Sequence, residues 1–580
     1  MTSRSEWRRR WAVIAGVVTA LAVAGCDRGG GSAAPSASAA AVDLSPVPAP
    51  AGLIAEVHAP KPDDLWARAR ELIGGPALLM PSTFPLLVGT LLGLPPTAAV
   101  DVDGAIAAHA ALVDLEGEIA WVAGVHVRSG AELVAKLSLG ADARYDARAD
   151  TASGVQVLVP RPGRAATGFA LGVVGNYLLA GPSERALVHA GPFVARTLPR
   201  APARSESLVA LLREPALRGV VAPAVRREWQ ARRGALDTLA RGQQAAKGAP
   251  DFAEPAAALA AAGELAADAA AWLESTTEVA IALEPRAEYA EVRVVATPAA
   301  SGAAHDAVQA MVVGDTAPLL RLPAASALAV LWRSRPDAAD ASAWITRLRR
   351  LFGERLSEQD AATLEPLLRP WFGARGDHAA WALLADEQAP GLVGVVATTD
   401  SAAASAAFRG VPRVAAVRAL ASPLERWAGL RRVRHATLNG APPLGRFERV
   451  TVTLGAPPGA TPPASGPKER SYELGWVAAK PEEGYAALGP VVEPLLRAVH
   501  GAASGASPAL GADSPARAVL GRVGHPVVLA LFVRPARVGL GTSDAPSLIT
   551  LGRSAEGAAV LRIEVARETL GVAARLALRR

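Results

Sequence analysis

The chain has 580 residues, too long for one ordinary domain, and is 51% hydrophobic and 20% charged, so it buries sizeable cores and is not disordered overall. A formal charge of +6 raises nucleic acid or an anionic membrane as partners. A single cysteine excludes a disulfide framework, an iron–sulfur cluster and a cysteine-rich zinc site.

Arg4, Arg8, Arg9 and Arg10 precede Trp11–Ala24, an uncharged apolar stretch of fourteen residues. A membrane span needs about 20 apolar residues, so this stretch reads as the core of a signal peptide. It ends in Val23-Ala24-Gly25-Cys26, which resembles the lipobox of bacterial lipoproteins, with the only cysteine at the acylated position. The resemblance implies Sec-type export and cleavage between Gly25 and Cys26. It further implies a diacylglycerol thioether on Cys26, an acyl chain such as palmitate on its amine, and a location on the cell membrane or outer membrane facing the periplasm or exterior. Two or three acyl chains hold a protein stably at about 0.8 kcal/mol per buried methylene.

Residues 1–25 therefore form the signal peptide. They carry four arginines and one glutamate, and their loss leaves 56 basic and 53 acidic residues, a net of +3. Aromatics are only 4% of the chain. Arginine also reads as interleaved with acidic residues, so nucleic acid is not an expected partner. Residues 26–51 follow as the lipidated cysteine and a flexible Ala/Ser/Gly/Pro tether.

The folded part opens with an alternating strand, Leu53–His58, and a helix with Leu65, Trp66, Ala69, Leu72 and Ile73 on one stripe, ending at Gly74. Leu72–Val100 then runs 29 residues without a charge. Its prolines leave Leu86–Leu94, nine residues, as the longest uninterrupted piece, too short to cross a bilayer. The segment reads either as short helices packed over a sheet or as an apolar groove. The groove would be built on Leu86, Leu87, Val88, Leu91 and Leu92 and would suit acyl chains or a partner's apolar segment.

Asp101-Val-Asp103-Gly104 is similar to a fragment of a calcium loop but lacks the later oxygen ligands, so it reads as a turn. Ala107–Val113 and Ile119–Val127 form a strand pair around Glu116-Gly117, and Ser129 caps the next helix. His109 and His126 fall on these neighbouring strands. Two imidazoles without a third ligand do not predict a metal site. A strand at Phe169–Val174 is followed by a helical insert, about Ser207–Ser275, and by a strand pair, Val279–Leu283 with Ala290–Ala296.

The same order returns downstream. Leu328–Trp332 leads into a helix through Trp344, Ile345, Leu348, Leu351 and Phe352 that ends at Gly353. Ala379–Leu384 pairs with Leu392–Thr398, and a helix follows Asp400-Ser401. Tyr472–Val477 matches Phe169–Val174, and Leu548–Leu551 pairs with Val560–Val565. Four matches in one order predict an α+β chain of two tandem-duplicated halves, residues 52–320 and 321–580. Each half is expected to carry an antiparallel sheet with helices on one face and a split-βαβ start. Residues 455–467 read as a Pro-rich surface loop.

The chain contains no Walker loop, Gly-x-Gly-x-x-Gly, His-Glu-x-x-His or Gly-x-Ser-x-Gly motif. Ser465-Gly-Pro-Lys468 matches Ser-x-x-Lys only inside the Pro-rich loop. Leu322–Val330 and Asn176–Leu187 resemble strand entries and a strand-into-helix segment of an uncharacterised family of exported bacterial proteins, a resemblance that supplies no catalytic residues. The expected function is that of a lipid-anchored envelope protein acting by binding or scaffolding, with an envelope-protein or lipid partner, no cofactor and no catalysis. A carrier or sensor of an apolar ligand is the first alternative, and an envelope hydrolase with an unrecognised site is the second.

Overall fold

The computed structural model describes residues 44–139, 143–161, 168–244, 255–337, 339–385, 390–456, 469–540 and 543–570. The chain mixes helices with extensive antiparallel β-structure and divides into two compact units. The first takes the described residues up to Val221, Thr277–Ala296 and those from Glu564 onward; the second takes Ala222–Thr276 and Thr297–Ile563.

The strands of the first unit are β1 (Leu53–Ala59), β2 (Ala108–Leu115), β3 (Glu118–His126), β4 (Tyr145–Asp150), β5 (Val155–Pro160), β6 (Ala170–Val174), β7 (Tyr177–Gly181), β8 (Leu208–Arg213), β9 (Thr276–Pro285) and β10 (Tyr289–Pro298). They pair in the order β10-β9-β8-β1-β2-β3-β7-β6-β5-β4. Local chemistry sets the turns and caps. Glu116 and Gly117 have φ of 58° and 90°, which gives the two-residue hairpin a twist matching its strands. Helix α1 (Pro62–Ile73) ends at Gly74, whose φ of 61° an L-residue with a Cβ adopts only under strain. Helix α2 is Phe84–Leu91, and α3 (Gly130–Ser138) is capped by Ser129, whose side chain accepts from the Glu132 amide. Helix α4 (Glu184–Pro192) is capped in the same way by Ser183.

Two expectations change in this unit. β1 and β2 are direct antiparallel neighbours, with His58 opposite His109, so the start is not a split βαβ: β2 itself fills the slot beside β1. Helices also cover both faces of the sheet. Leu171, Val173, Leu178 and Ala180 belong to one core, and Val174, Tyr177 and Leu179 to another. The near-continuous apolar runs of β6 and β7 are the signature of strands buried on both sides.

The second unit opens with α5 (Ala222–Gln244) and α6 (Pro255–Glu274), tied by bonds from Arg226 to Glu274 of 2.6 and 2.9 Å. The helical insert expected from Ser207 thus begins later, because Leu208–Arg213 is β8. A short Leu/Ala run has no period that separates strand from helix. Its other helices include α7 (Asp340–Phe352), α8 (Glu358–Ala374), α9 (Ser401–Arg409), α10 (Arg418–Ala428), α11 (Val492–Ser504) and α12 (Ser514–Gly521). Its strands are β11 (Ser326–Arg333), β12 (Arg375–Leu384), β13 (Gly391–Thr398), β14 (Leu430–Asn439), β15 (Arg446–Leu454), β16 (Arg470–Lys480), β17 (Glu483–Gly489), β18 (Val527–Val533), β19 (Ser547–Arg553) and β20 (Ala559–Ala566). Their order is β20-β19-β18-β11-β12-β13-β17-β16-β15-β14, the first unit's order with every strand number raised by ten. Here too both faces are buried: Val477, Tyr485 and Ala487 join one core, Trp476 and Ala486 another.

Candidate functional site

The uncharged segment is part of the core. Leu87, Val88 and Leu92 are buried with Trp66, Phe84 and Leu133, and Leu91 packs against them. Leu86 alone of the five turns outward, at 42% exposure. Asp63 Oδ1 accepts the Phe84 amide at 3.0 Å and Trp66 Nε1 donates to Pro81 O at 2.8 Å, pinning the helix onto the fold. The proposed groove is therefore closed by its own lining: apolar side chains without charges next to a sheet bury themselves. Val88→Ala is expected to lower the unfolding free energy by about 2 kcal/mol and Leu86→Ala by less than about 0.5 kcal/mol, measured by urea denaturation.

A buried polar ladder crosses β8, β1 and β2. Arg213 on β8 grips Glu56 on β1 through Nη2–Oε2 at 3.2 Å and reaches Glu278 at 3.3 Å. His58 Nε2 lies 3.9 Å from Glu56 Oε2, and His58 Nδ1 meets His109 Nδ1 at 3.1 Å. His58 and then Arg213 hold the Glu56 carboxyl below its ordinary range against the effect of burial. Burial, joined by the charge of His58, pushes His109 down to about 4. His109 Nε2 is buried without a hydrogen-bond partner among the described residues. An imidazole in that position is neutral, and one ring of the pair donates while the other accepts.

The two histidines singled out in the sequence do not pair with each other. The Tyr177 ring lies beside both, 6.1 Å from His109 and 5.5 Å from His126 between centroids. His126 Nδ1 approaches Asp103 Oδ2 at 3.8 Å. Asp101 accepts from Lys136 Nζ at 2.5 Å, so an ammonium occupies the carboxylate of the calcium-like fragment. Among the described residues no group of three or more His, Cys, Asp or Glu side chains is placed to hold a metal ion.

The second unit carries a different polar cluster at the corresponding strand pair. Arg333 on β11 stands opposite His378 on β12, as His58 stands opposite His109. Arg333 donates to Asp315 O at 2.7 Å and lies 3.4 Å from Asp377 Oδ2, and His378 Nδ1 meets Asp377 Oδ1 at 2.7 Å. Arg375 holds Asp340, at the start of α7, at 2.7 Å. Arg333 and Arg375 act here as fixed cations that fasten helix to sheet, and His378 with Asp377 adds a His–carboxylate contact to the cluster.

A surface groove of 780 Å³ in the first unit is lined by Gly52, Asp114, Glu116, Glu184, Arg185 and His189, among others. Its polar groups are paired: Arg185 Nη1 donates to Glu116 Oε2 at 2.9 Å, Gly117 N donates to Asp114 Oδ1 at 2.6 Å, and His189 Nε2 meets Ala51 O at 2.8 Å. Sequence reasoning missed it because its walls come from separate segments.

Gly25 and Cys26 lie outside the described residues, as do residues 457–467 of the Pro-rich loop and Ser465 and Lys468. The expected tether is shorter at its end. Val47 N donates to Thr197 Oγ1 at 2.9 Å, Thr197 Oγ1 donates back to Val47 O at 2.7 Å, and Arg200 Nη2 donates to Leu44 O at 3.0 Å. Residues 44–51 are thus laid against the fold. No family model, no curated protein and no solved structure matches this chain.

Proposed function

We propose that the chain is a lipid-anchored protein of the bacterial cell envelope that acts by binding or scaffolding. The observation that carries this reading is the only cysteine, placed directly after an apolar leader in Val23-Ala24-Gly25-Cys26. Acylation of Cys26 attaches the protein to the cell membrane or outer membrane, with both units facing the periplasm or exterior. The identical strand order of the two units supports descent from one tandemly duplicated design. A binding role is favoured over catalysis because the sequence contains none of the catalytic motifs named above, and Glu56, Arg213 and Arg375 are engaged in joining strands and helices.

The anchor is tested directly. In Cys26→Ala, labelled fatty acid is no longer incorporated, and the protein leaves the membrane fraction or accumulates unprocessed. An unchanged lipidated membrane fraction overturns the reading.

A further inference from the structure

Arginine is not spread evenly over the folded chain. Between Arg409 and Arg449 there are nine arginines against two acidic residues, Glu425 and Glu448. The stretch departs from the interleaving of arginine with acidic residues expected of the chain as a whole. Of the two acids, Glu425 is exposed on α10, while Glu448 is buried and accepts from Thr437 and meets His435 Nε2, each at 2.7 Å.

The fold gathers part of this charge on one sheet face. β14 ends the second unit's strand order and, among the described residues, pairs only with β15. Arg432 and Arg434 alternate onto the same face of β14, opposite Thr453 and Thr451 of β15, and Ser471 of β16 stands next to Thr453. The one carboxylate in this register, Glu473, is occupied by Arg449 at 3.1 Å and by the Val492 amide at 3.0 Å. Arg432 and Arg434 are exposed and have no carboxylate partner among the described residues. Arg431 and Arg446 add exposed charge at the two ends of the hairpin. The segment that joins β15 to β16, residues 455–469, carries one lysine, Lys468, and one acid, Glu469.

We propose that this Arg/Thr/Ser face docks on the phosphate headgroups of an anionic lipid surface. Guanidinium groups bind phosphate oxygens in a fork, and hydroxyl groups beside them donate to the same oxygens. The exposed described residues of this face include no aromatic ring on which bases would stack, which separates it from a single-stranded nucleic-acid platform. The inference rests on the envelope location proposed above. The acyl anchor supplies the bilayer at high local concentration, and a basic face is the usual second membrane signal beside lipidation.

The test uses the full lipidated protein on vesicles of phosphatidylcholine alone or of phosphatidylcholine with phosphatidylglycerol. Flotation with the neutral vesicles reads the anchor alone. Hydrogen–deuterium exchange over residues 430–454 reads the face. Slower exchange there is expected only on the anionic vesicles, and 0.5 M salt is expected to remove it. For chain that has not been lipidated, flotation with the anionic vesicles alone reads the face. In that setting Arg432→Gln/Arg434→Gln is expected to weaken partitioning about 30-fold, while Arg432→Lys/Arg434→Lys keeps most of it. Equal exchange on both vesicles, or the same protection from inorganic phosphate alone, overturns the membrane assignment. Loss of neutral-vesicle flotation with salt-sensitive binding to anionic vesicles retained overturns the anchor and leaves the face supported.

Discussion

Arg534→Ala is expected to destabilise the second unit by about 3 kcal/mol. Arg534 follows β18 and is 2% exposed, with its guanidinium 5.6 Å from the Phe532 ring centroid. Nη2 contacts Asp513 at 2.7 Å and Nη1 contacts Asp544 at 3.3 Å. Burial pushes the Asp513 carboxyl up, and the Ala516 amide and Arg534 more than offset it, so its pKa lies below the ordinary range. Asp513 also caps α12, accepting from Ala516 N at 2.9 Å. Removing the arginine leaves that cap without its counter-charge and opens a cavity beside Phe532. Asp544 is 49% exposed and keeps Arg537 at 2.6 Å, which holds the loss near the lower end for a broken buried pair. Urea denaturation of wild type and variant at neutral pH measures the difference. A change below about 1 kcal/mol would show that water already solvates the site.

The second large effect depends on pH. His109 binds its proton near 6.5 when unfolded but only at about 4 when folded. Between these values the unfolded chain takes up more protons, so acid favours unfolding. The contribution is complete above pH 6.5 and is lost as pH falls towards 4, amounting to about 3 kcal/mol at the acid end. Burial, joined by the charge of His58 on β1, keeps this ring neutral; Glu56 and Arg213 flank His58, and Tyr177 lies beside His109 with His126 on its other side. His109→Gln removes the titrating ring and keeps an amide able to bond to His58. Its urea stability is expected to fall less between pH 7 and 5 than that of wild type. Parallel pH profiles for the two proteins would show that His109 is hydrated or protonated in the fold.

Much of the local structure was legible before the fold was known. Gly74 and Gly353 end matching helices with φ of 61° and 59°, Ser129 caps the helix assigned to it, and the helix expected after Asp400-Ser401 is present with Asp400 as its cap. Strands β4 and β14 were not legible, because Tyr-Asp-Ala-Arg-Ala-Asp and an Arg-rich run lack the apolar alternation that marks a half-buried strand. The runs Ala-Leu-Gly-Val-Val and Tyr-Leu-Leu-Ala-Gly are continuously apolar, which is the sequence signal of strands buried on both faces. The density of arginine between Arg409 and Arg449 was likewise visible by counting, but whole-chain composition hid it.

By itself, the sequence determined what depends on neighbours a few residues apart: turn and cap chemistry, and the repeated order of elements. Backbone preferences and short-range hydrogen bonds act within that distance. Only the tertiary structure decided that His58 meets His109 rather than His109 meeting His126, and that Leu87 and Val88 fill a core instead of lining a groove. It also decided that Arg432 and Arg434 share an open face. Each of these requires segments far apart in the chain to be brought into register, and burial and pairing energies act only once that has happened.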